Sequence, residues 1–287
     1  MRTQTIYDLP SPVTIDWGDG TVEENITRYN TWTEGFGGIQ NGLVGFQFST
    51  FVYPHATQTH TYSSPGEYII KVRGEESSLY NSMSLSWLPL VEIIKFDPTQ
   101  VTNAYGLFWQ SQASNEVAEY ISSWDTSGIS KMKQMFANYE EETSGGITIP
   151  YFSSSWNPNV SSWNLSGLDA NLGLEAADRM FQFHENFNRD VSSWDVSSFV
   201  YPRGIFQGCT HLVSGGRADL WDFSNTNFGD NRAFSALFQN SMTSPEARGT
   251  MPHVGNWDLS SINDGITFFA DRMFSGSGFS HTSVGET

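Results

Sequence analysis

At five places in this chain a tryptophan is followed by an acidic or amide residue and, two residues after that, by a serine, and this pattern is the one most able to do chemistry. The five residues are Asp125, Asn164, Asp195, Asp222 and Asp258. Stacked in register about 4.8 Å apart, carboxylates would repel one another or hold divalent cations between them. Alternatively, each side chain accepts the backbone N–H of the serine two residues on, as an Asx turn. Because Asn164 interrupts the acidic file, we expect Asx turns.

Three other polar clusters are weaker candidates for a metal site. The segment "DWGDG" at 16–20 lacks the spaced ligands and distant glutamate of a calcium loop, and it predicts a turn. His55 and His60 have no cysteine or third histidine nearby, which is not zinc-ligand spacing. The run Glu140–Glu142 is typical of a solvated loop. We therefore expect no metal ion and no cofactor.

Catalytic motifs are missing from the sequence. It contains no G-x-S-x-G, no H-E-x-x-H and no P-loop. A glycosidase needs two carboxyl groups about 5–10 Å apart in a cleft, and a repeated aspartate would supply such a pair by accident. We predict that the protein is not an enzyme. A glycan-cleaving enzyme remains the alternative if two carboxylates face each other across a groove.

The elements that position these residues are repeats. Successive tryptophans of the motif are 39, 31, 27 and 36 residues apart, and a phenylalanine follows each at an offset of 12, 17 or 18. An earlier copy has Phe96 and Phe108, so that six repeats are present. The paired anchors are Trp124 and Phe136, Trp163 and Phe181, Trp194 and Phe206, Trp221 and Phe238, and Trp257 and Phe274. A period of this length, with a short strand and a helical turn, predicts a solenoid.

Other apolar positions keep the same register. The residue before each phenylalanine is apolar, as is the residue three before each tryptophan. These positions are Met135, Met180, Ile205, Leu237 and Met273, and Ile121, Val160, Val191, Ala218 and Val254. One repeat cannot bury its own apolar side, whereas stacked repeats form continuous ladders. We therefore predict that the repeated tryptophans are buried core residues.

The motif W-D-x-S-x(n)-M-F, preceded by F-N-x-D-V-S-S-W, resembles the BspA-like surface-protein repeat. The resemblance covers about two thirds of the chain. It implies a relative of the leucine-rich repeats, of the kind found in bacterial surface lipoproteins and in some phage virion proteins. It also implies that residues 81–287 form a leucine-rich-repeat-like solenoid of about six rungs.

The first 80 residues have the alternation of β-strands. "VTIDW", "GFQFSTFVY" and "YIIKV" alternate in polarity or are rich in strand formers, "GDGT" is a turn, and the glycine-rich stretch 33–45 reads as a loop. The pair Asp16–Thr21 and His60–Val72 resembles the PKD-type immunoglobulin-like domain. The expected fold class is therefore mainly β with short helical turns, in which a small β-sandwich at 1–80 precedes the solenoid.

Composition restricts the possible partners. The formal net charge of −17 repels nucleic acid and anionic lipid. No run of 18 apolar residues predicts a membrane span. The first 20 residues lack the apolar region of a secretory signal, so we expect a cytoplasmic protein or one released by another route, such as a virion component. The single cysteine, Cys209, is expected to be a small buried residue.

Aromatic residues outside the repeated positions are the candidate binding residues. They are Trp32, Phe36, Trp109 and Tyr139. Aromatics on loops bind sugars and proteins, although each could instead cap the stack or cover the domain junction. The expected protein is a structural or adhesive virion component, such as a tail fibre, decoration or capsid-associated protein. The alternative is a bacterial cell-surface adhesin that binds host glycan or protein.

Association with other chains is also expected. Uncapped solenoid ends expose strand edges, which predicts a homo-oligomer or docking onto a larger assembly of virion or surface proteins. The insertions at 139–155 and 240–252 are expected to project to one side and to carry the docking or receptor contact.

Overall fold

A computed structural model describes residues 2–9, 13–26, 56–64, 68–73, 93, 98–138, 156–226, 228, 233–250, 252–259 and 272–278. The chain divides into two compact units. The first comprises residues 1–84 and 140–150, and the second comprises residues 85–139 and 151–287. The description of these units as a PKD-like sandwich and a leucine-rich-repeat solenoid remains a prediction.

The first unit contains five described strands in two sheets. They are β1 (Arg2–Leu9), β2 (Val13–Asp16), β3 (Val22–Ile26), β4 (Ala56–Tyr62) and β5 (Lys71–Arg73). Strand β1 pairs antiparallel with β4, while β2 lies between β3 and β5 and is antiparallel to both. The predicted strand "VTIDW" is therefore observed as β2, and the "YIIKV" strand begins only at Lys71. The expected strand "GFQFSTFVY" and loop 33–45 lie outside the described residues.

The W-G-D-G turn of the first unit surrounds a buried tryptophan. Trp17 is fully buried, its ring stacks on His60 with centroids 5.1 Å apart, and its carbonyl accepts the Tyr62 hydroxyl at 2.9 Å. Gly18 has a φ of +80°, and a Cβ there would stand 2.6 Å from the Ile69 carbonyl oxygen. Only glycine combines this backbone angle with this close approach. The motif residues therefore hold the end of β2 against β4.

The second unit is a stack of repeats joined through their phenylalanines. We call Phe108, Phe136, Phe181, Phe206, Phe238 and Phe274 the phenylalanine file. In all but the last, the backbone N–H donates to the carbonyl of the residue before the next phenylalanine, at 2.8–3.0 Å. The rings of consecutive members stack with centroids 5.1–6.1 Å apart. Main chain and side chains therefore keep the repeats in one register.

The tryptophan file consists of Trp124, Trp163, Trp194, Trp221 and Trp257. All five are buried, at 2–9 % exposure, as predicted. In the last four, the indole Nε1–H donates to the carbonyl of the residue three before the preceding tryptophan. These acceptors are Ile121, Val160, Val191 and Ala218, at 2.8–2.9 Å. A buried indole needs a partner for its N–H, and stacking supplies one in each of these repeats.

Helical structure in the second unit is short. Helix α1 is Asn115–Tyr120, and the Ser114 hydroxyl caps it by accepting the Val117 backbone N–H at 3.2 Å. The 3₁₀ segments are Pro98–Gln100, Ile121–Ser123, Ala170–Glu175, Val213–Leu220 and Val254–Asn256. Ala170–Glu175 and Val213–Leu220 are each interrupted by left-handed backbone angles. These segments lead into the tryptophan positions or connect repeats.

A turn precedes each phenylalanine of the file among the described residues of the second unit. The residue two before each phenylalanine has a left-handed backbone with φ of 54–59°. These residues are Gly106, Gln134, Arg179, Gly204, Ala236 and Arg272. Left-handed angles break an extended strand, because they reverse the local direction of the chain. No extended strand therefore passes through these described positions, although hydrogen bonding between repeats persists.

The segment 240–250 is partly buried against the stack. Met242 and Ala247 are fully buried, and the Met242 N–H donates to the Cys209 carbonyl at 3.0 Å. The segment is therefore hydrogen-bonded to its neighbouring repeat, and its role in docking stays a prediction. The insertion 139–155 lies outside the described residues. Cys209 is fully buried, as predicted, and burial raises the pKa of its thiol well above the usual value.

His184 is a fully enclosed titratable group in the stack. Its Nδ1 lies 3.0 Å from the Phe136 carbonyl oxygen, and its Nε2 lies 3.0 Å from the Trp156 carbonyl oxygen. Burial lowers the pKa of this imidazole below its ordinary value, although the two carbonyls oppose that shift. The neutral form donates to only one of the two carbonyls. The folded protein therefore holds His184 neutral at neutral pH.

Acidification should destabilise the protein through His184. An unfolded histidine takes up a proton near pH 6.5, whereas the folded one does so only at lower pH. The stabilisation is therefore present above about pH 6.5 and lost as the pH falls, by up to about 1.4 kcal/mol per pH unit for one proton. Urea denaturation between pH 7 and pH 5 measures this slope, which His184→Gln should reduce. His253→Gln, at an exposed position, is the control, and an equal slope in wild type and His184→Gln would contradict the assignment.

Candidate functional site

The acidic and amide residues that follow the tryptophans form Asx turns. Their Oδ1 atoms accept the backbone N–H two residues on. The pairs are Asp125 with Ser127 at 3.0 Å, Asn164 with Ser166 at 3.0 Å, Asp195 with Ser197 at 3.0 Å and Asp222 with Ser224 at 2.9 Å. The Asx-turn prediction is confirmed for these four; the serine that follows Asp258 lies outside the described residues. One oxygen of each of these side chains is therefore engaged by the main chain.

The serines also determine the electrostatics of this file. Hydrogen bonds from the Ser127 and Ser224 side chains, and then from their backbones, lower the pKa of Asp125 and Asp222. The charge of Asp258 acts in the opposite direction on Asp222. In the part of the chain that the structure describes, no three His, Cys, Asp or Glu side chains converge as metal ligands do. Asp125 and Asp222 are thus ionised turn residues at neutral pH.

The acidic segment of the first unit likewise forms a turn. Asp16 accepts the Gly18 N–H and Asp19 accepts the Thr21 N–H, both at 3.0 Å. His60 Nε2 lies 2.7 Å from Asp19 Oδ2, and this contact contributes most to lowering the pKa of Asp19. The turn predicted for "DWGDG" is therefore confirmed. His55 and the run 140–142 lie outside the described residues.

The structure describes one of the four predicted binding aromatics. Trp109 is half-buried and directly follows Phe108 of the phenylalanine file. Its backbone N–H donates to the Gly106 carbonyl at 2.9 Å. The other three, Trp32, Phe36 and Tyr139, lie outside the described residues. Their role in partner binding remains a prediction.

A groove of about 260 Å³ lies beside the phenylalanine file. We call it the arginine–glutamine groove. Its lining residues are Arg179, Gln182, Arg203, Gly204, Gln207, Ser235, Ala236, Gln239 and Arg272. All occupy three register positions, namely three before, two before or one after a phenylalanine of the file. Equivalent positions of four repeats therefore form one continuous surface.

Three glutamines form a ladder along the groove. Gln182 Nε2 donates to Gln207 Oε1 at 2.6 Å, and Gln207 Nε2 donates to Gln239 Oε1 at 2.9 Å. Each glutamine directly follows a phenylalanine. The backbone register of the stack therefore places the three carboxamides in line.

Two of the groove arginines are oriented by a buried carboxylate. Asp178 is fully buried, and Arg203 binds it through two nitrogens at 2.8 and 3.2 Å. Arg179 Nη1 lies 3.4 Å from the same carboxylate. The nine lining residues include three arginines and no carboxylate, and Asp178 beside them is paired with Arg203 and Arg179, so these described residues carry an excess of positive charge. This excess contrasts with the net charge of −17 for the chain.

Sequence reasoning missed this groove, although a signal for it was present. The dipeptide Phe-Gln recurs in "RMFQF", "GIFQG" and "ALFQN". A polar residue repeated next to a core anchor indicates a second, outward-facing ladder. The arginines gave no comparable signal, because they alternate between two register positions.

A comparison with protein families matches the repeat region. The model described as "Mycoplasma protein of unknown function, DUF285" matches residues 78–169 and 149–244. The two matches overlap and span 78–244, more than half of the 287 residues. Searches of curated proteins and of solved structures found no match. Among the described residues, no helix is long and apolar enough to cross a membrane.

Proposed function

Because this chain belongs to the DUF285 family, we propose that it is a non-enzymatic structural or adhesive protein whose repeats present a binding surface. The family is found in BspA-like surface proteins, the class that the repeat motif resembles. The proposed partners are other virion or surface proteins and host-surface glycans. Association into a homo-oligomer or a larger assembly is part of the proposal.

The observation that carries this proposal is that the repeated polar groups form hydrogen bonds within the fold. Indole N–H groups bind carbonyls of the preceding repeat, and aspartate oxygens bind the backbone two residues on. The motif thus has a structural role in the copies in which these hydrogen bonds are described. Repeat proteins of this kind use the residues that vary between copies to bind partners. Because the motif residues are engaged within the fold, we expect adhesion to use the outward-facing residues that vary between repeats.

Two settings suit such a scaffold. One is a virion, in which the chain would be a tail fibre, decoration or capsid-associated protein. The other is a bacterial cell surface, where it would be an adhesin. The occurrence of the family in surface proteins favours the second setting.

The geometry gives less support to glycan cleavage. A glycosidase would place two carboxyl groups across a cleft from each other. The described groove is lined by arginine, glutamine, serine, glycine and alanine. The neighbouring Asp178 is buried and paired with Arg203. Binding without cleavage is therefore the function that we propose for this surface.

Immunogold labelling tests the proposal. Antibodies against the purified chain are applied to unpermeabilised cells of the source organism and to any phage particles purified from it. We expect gold on the outer surface of the cells or on the particles. Label that is seen only after permeabilisation, inside the cells, would overturn an adhesive or virion role.

A second arm tests the non-enzymatic part. The purified chain is incubated with a panel of oligosaccharides, and the products are analysed by mass spectrometry. We expect every oligosaccharide to be recovered intact. Cleavage that disappears when a surface aspartate is changed to asparagine would support the enzymatic alternative instead.

A further inference from the structure

We propose that the arginine–glutamine groove binds a carboxylate-bearing glycan, one acidic sugar unit at a time. This inference rests on the proposed adhesive function and names the class of ligand that the surface takes. It follows from the arginines of the groove, from its glutamine ladder and from its repetition along the stack.

The arginines favour a carboxylate. A guanidinium group presents its donors in a planar fork that matches a carboxylate with two parallel hydrogen bonds. Arg203 shows this geometry within the protein, since it binds both oxygens of Asp178. Arg179 and Arg272 line the same groove from the first and the last of its four repeats. An acidic sugar in the groove would lie between these two guanidinium groups.

The glutamines favour a sugar over a peptide. A carboxamide both donates and accepts hydrogen bonds, as the hydroxyl groups of a sugar do. Ala236 is the one apolar side chain among the nine lining residues. Peptide recognition relies on apolar or aromatic anchors held in desolvated pockets, and the described groove has none. A ligand covered with hydroxyl groups therefore fits better than an acidic peptide.

The size and repetition of the groove favour a unit of a polymer. At about 260 Å³, it is smaller than the pockets of roughly 300–1,000 Å³ that enclose drug-sized ligands. Gly204 has no side chain, and a Cβ there would stand 3.2 Å from Cγ of Arg179. This glycine keeps the space between Arg179 and Gln207 open. Because the lining positions recur in successive repeats, a chain of similar sugar units can follow the stack.

Cationic side chains continue in the same register beyond the groove. Lys133 lies three before Phe136, as Arg203 does before Phe206. Lys131 and Lys133 approach the ring of Tyr105, which is 39 % exposed, with nitrogens 5.1 and 5.9 Å from its centroid. Tyr105 occupies that register position in the first described repeat. An extended acidic glycan would thus meet further cations and an aromatic ring.

The remainder of the chain opposes non-specific binding of anions. The whole chain has a net charge of −17, which repels them, and at physiological salt this repulsion is screened beyond about 8 Å. The local arginines therefore decide whether a nearby carboxylate is held. Binding through them should weaken as salt is added, because the contact is partly exposed.

Isothermal titration of the full chain tests the proposal with three matched probes. They are the tetrasaccharide of galacturonic acid, the neutral tetrasaccharide of galactose, and tetraglutamate. The variants are Arg179→Gln, Arg272→Gln and, as the control, Arg248→Gln, an exposed arginine outside the groove. Arg203 is left intact, because its loss would strand the buried Asp178.

We expect the acidic tetrasaccharide to bind more tightly than either other probe. Arg179→Gln and Arg272→Gln should each weaken this binding about tenfold or more, while Arg248→Gln should leave it unchanged. Equal binding of the neutral tetrasaccharide, or an equal loss in Arg248→Gln, would overturn the assignment. Tighter binding of tetraglutamate would point to an acidic peptide and overturn it as well.

Hydrogen exchange on the wild-type chain keeps the test independent of variant folding. The acidic tetrasaccharide should slow amide exchange at residues 203–208 and 235–240, and no change there would contradict the proposal. If immunogold label lies on the outer surface but the chain binds no glycan, the adhesive function stands and only the ligand assignment is wrong. Internal labelling would remove the adhesive function itself.

Discussion

Replacing Trp194 with alanine should lower the free energy of unfolding by about 3–5 kcal/mol, the cost of truncating a large core aromatic. Trp194 is 3 % exposed and stacks on Trp221 with ring centroids 6.2 Å apart. Its Nε1–H donates to the Val160 carbonyl of the preceding repeat at 2.9 Å. The substitution therefore leaves a cavity in the middle of the stack and removes one of the two hydrogen bonds that the Val160 carbonyl accepts, the other coming from the Trp163 backbone N–H.

Chemical denaturation with urea measures this loss. Trp194→Phe should be less damaging, because it keeps an aromatic ring and loses the indole N–H. Trp109→Ala is the matched control at a half-buried position, and we expect a smaller loss there. If Trp194→Ala costs no more than Trp109→Ala, the tryptophan file does not hold the stack together.

Replacing Gly167 with alanine should destabilise the protein by about 1–3 kcal/mol or more, as overpacking does. A Cβ at Gly167 would stand 2.1 Å from the backbone oxygen of Ser127 and 3.1 Å from that of Ile129. Backbone atoms cannot rotate away as a flexible side chain can, so the two repeats would have to move apart. The glycine is therefore required by the close approach of two neighbouring repeats.

The chain contains its own control for this substitution. Gly128 lies four residues after Trp124, as Gly167 lies four residues after Trp163. A Cβ at Gly128 would meet its nearest atom, the Thr99 oxygen, at 4.0 Å, which is ordinary contact. Gly128→Ala should therefore be tolerated. Equal melting temperatures for Gly128→Ala and Gly167→Ala in a thermal scan would contradict the close approach.

The stacking register was predictable because each repeat must bury the same side chains. Tryptophan, the residue three before it and the residue before each phenylalanine recur in the sequence. All described members through Phe238 are buried, as are Trp257 and Met273, whereas Val254 and Phe274 are half-buried. Asx turns could likewise be predicted, since an aspartate bonds locally to the backbone two residues on.

The groove could not be assembled from the sequence, because its members are far apart in the chain. Arg179 and Arg272 are separated by several repeats whose lengths vary. The face that each side chain occupies depends on the left-handed turn before the phenylalanine. Four of these turns have no glycine that would indicate them in the sequence, namely those at Gln134, Arg179, Ala236 and Arg272. The partners of His184 also come from other repeats, at Phe136 and Trp156.

The sequence by itself determined the repeat, the residues that must be buried and the local turns, because each depends on residue type and on spacing within one repeat. The tertiary structure alone decided the indole–carbonyl pairs, the clash that requires Gly167 and the row of Gln182, Gln207 and Gln239 beside the arginines. Those features depend on the distance between neighbouring repeats. That distance is established only when the repeats stack and their backbones hydrogen-bond to one another.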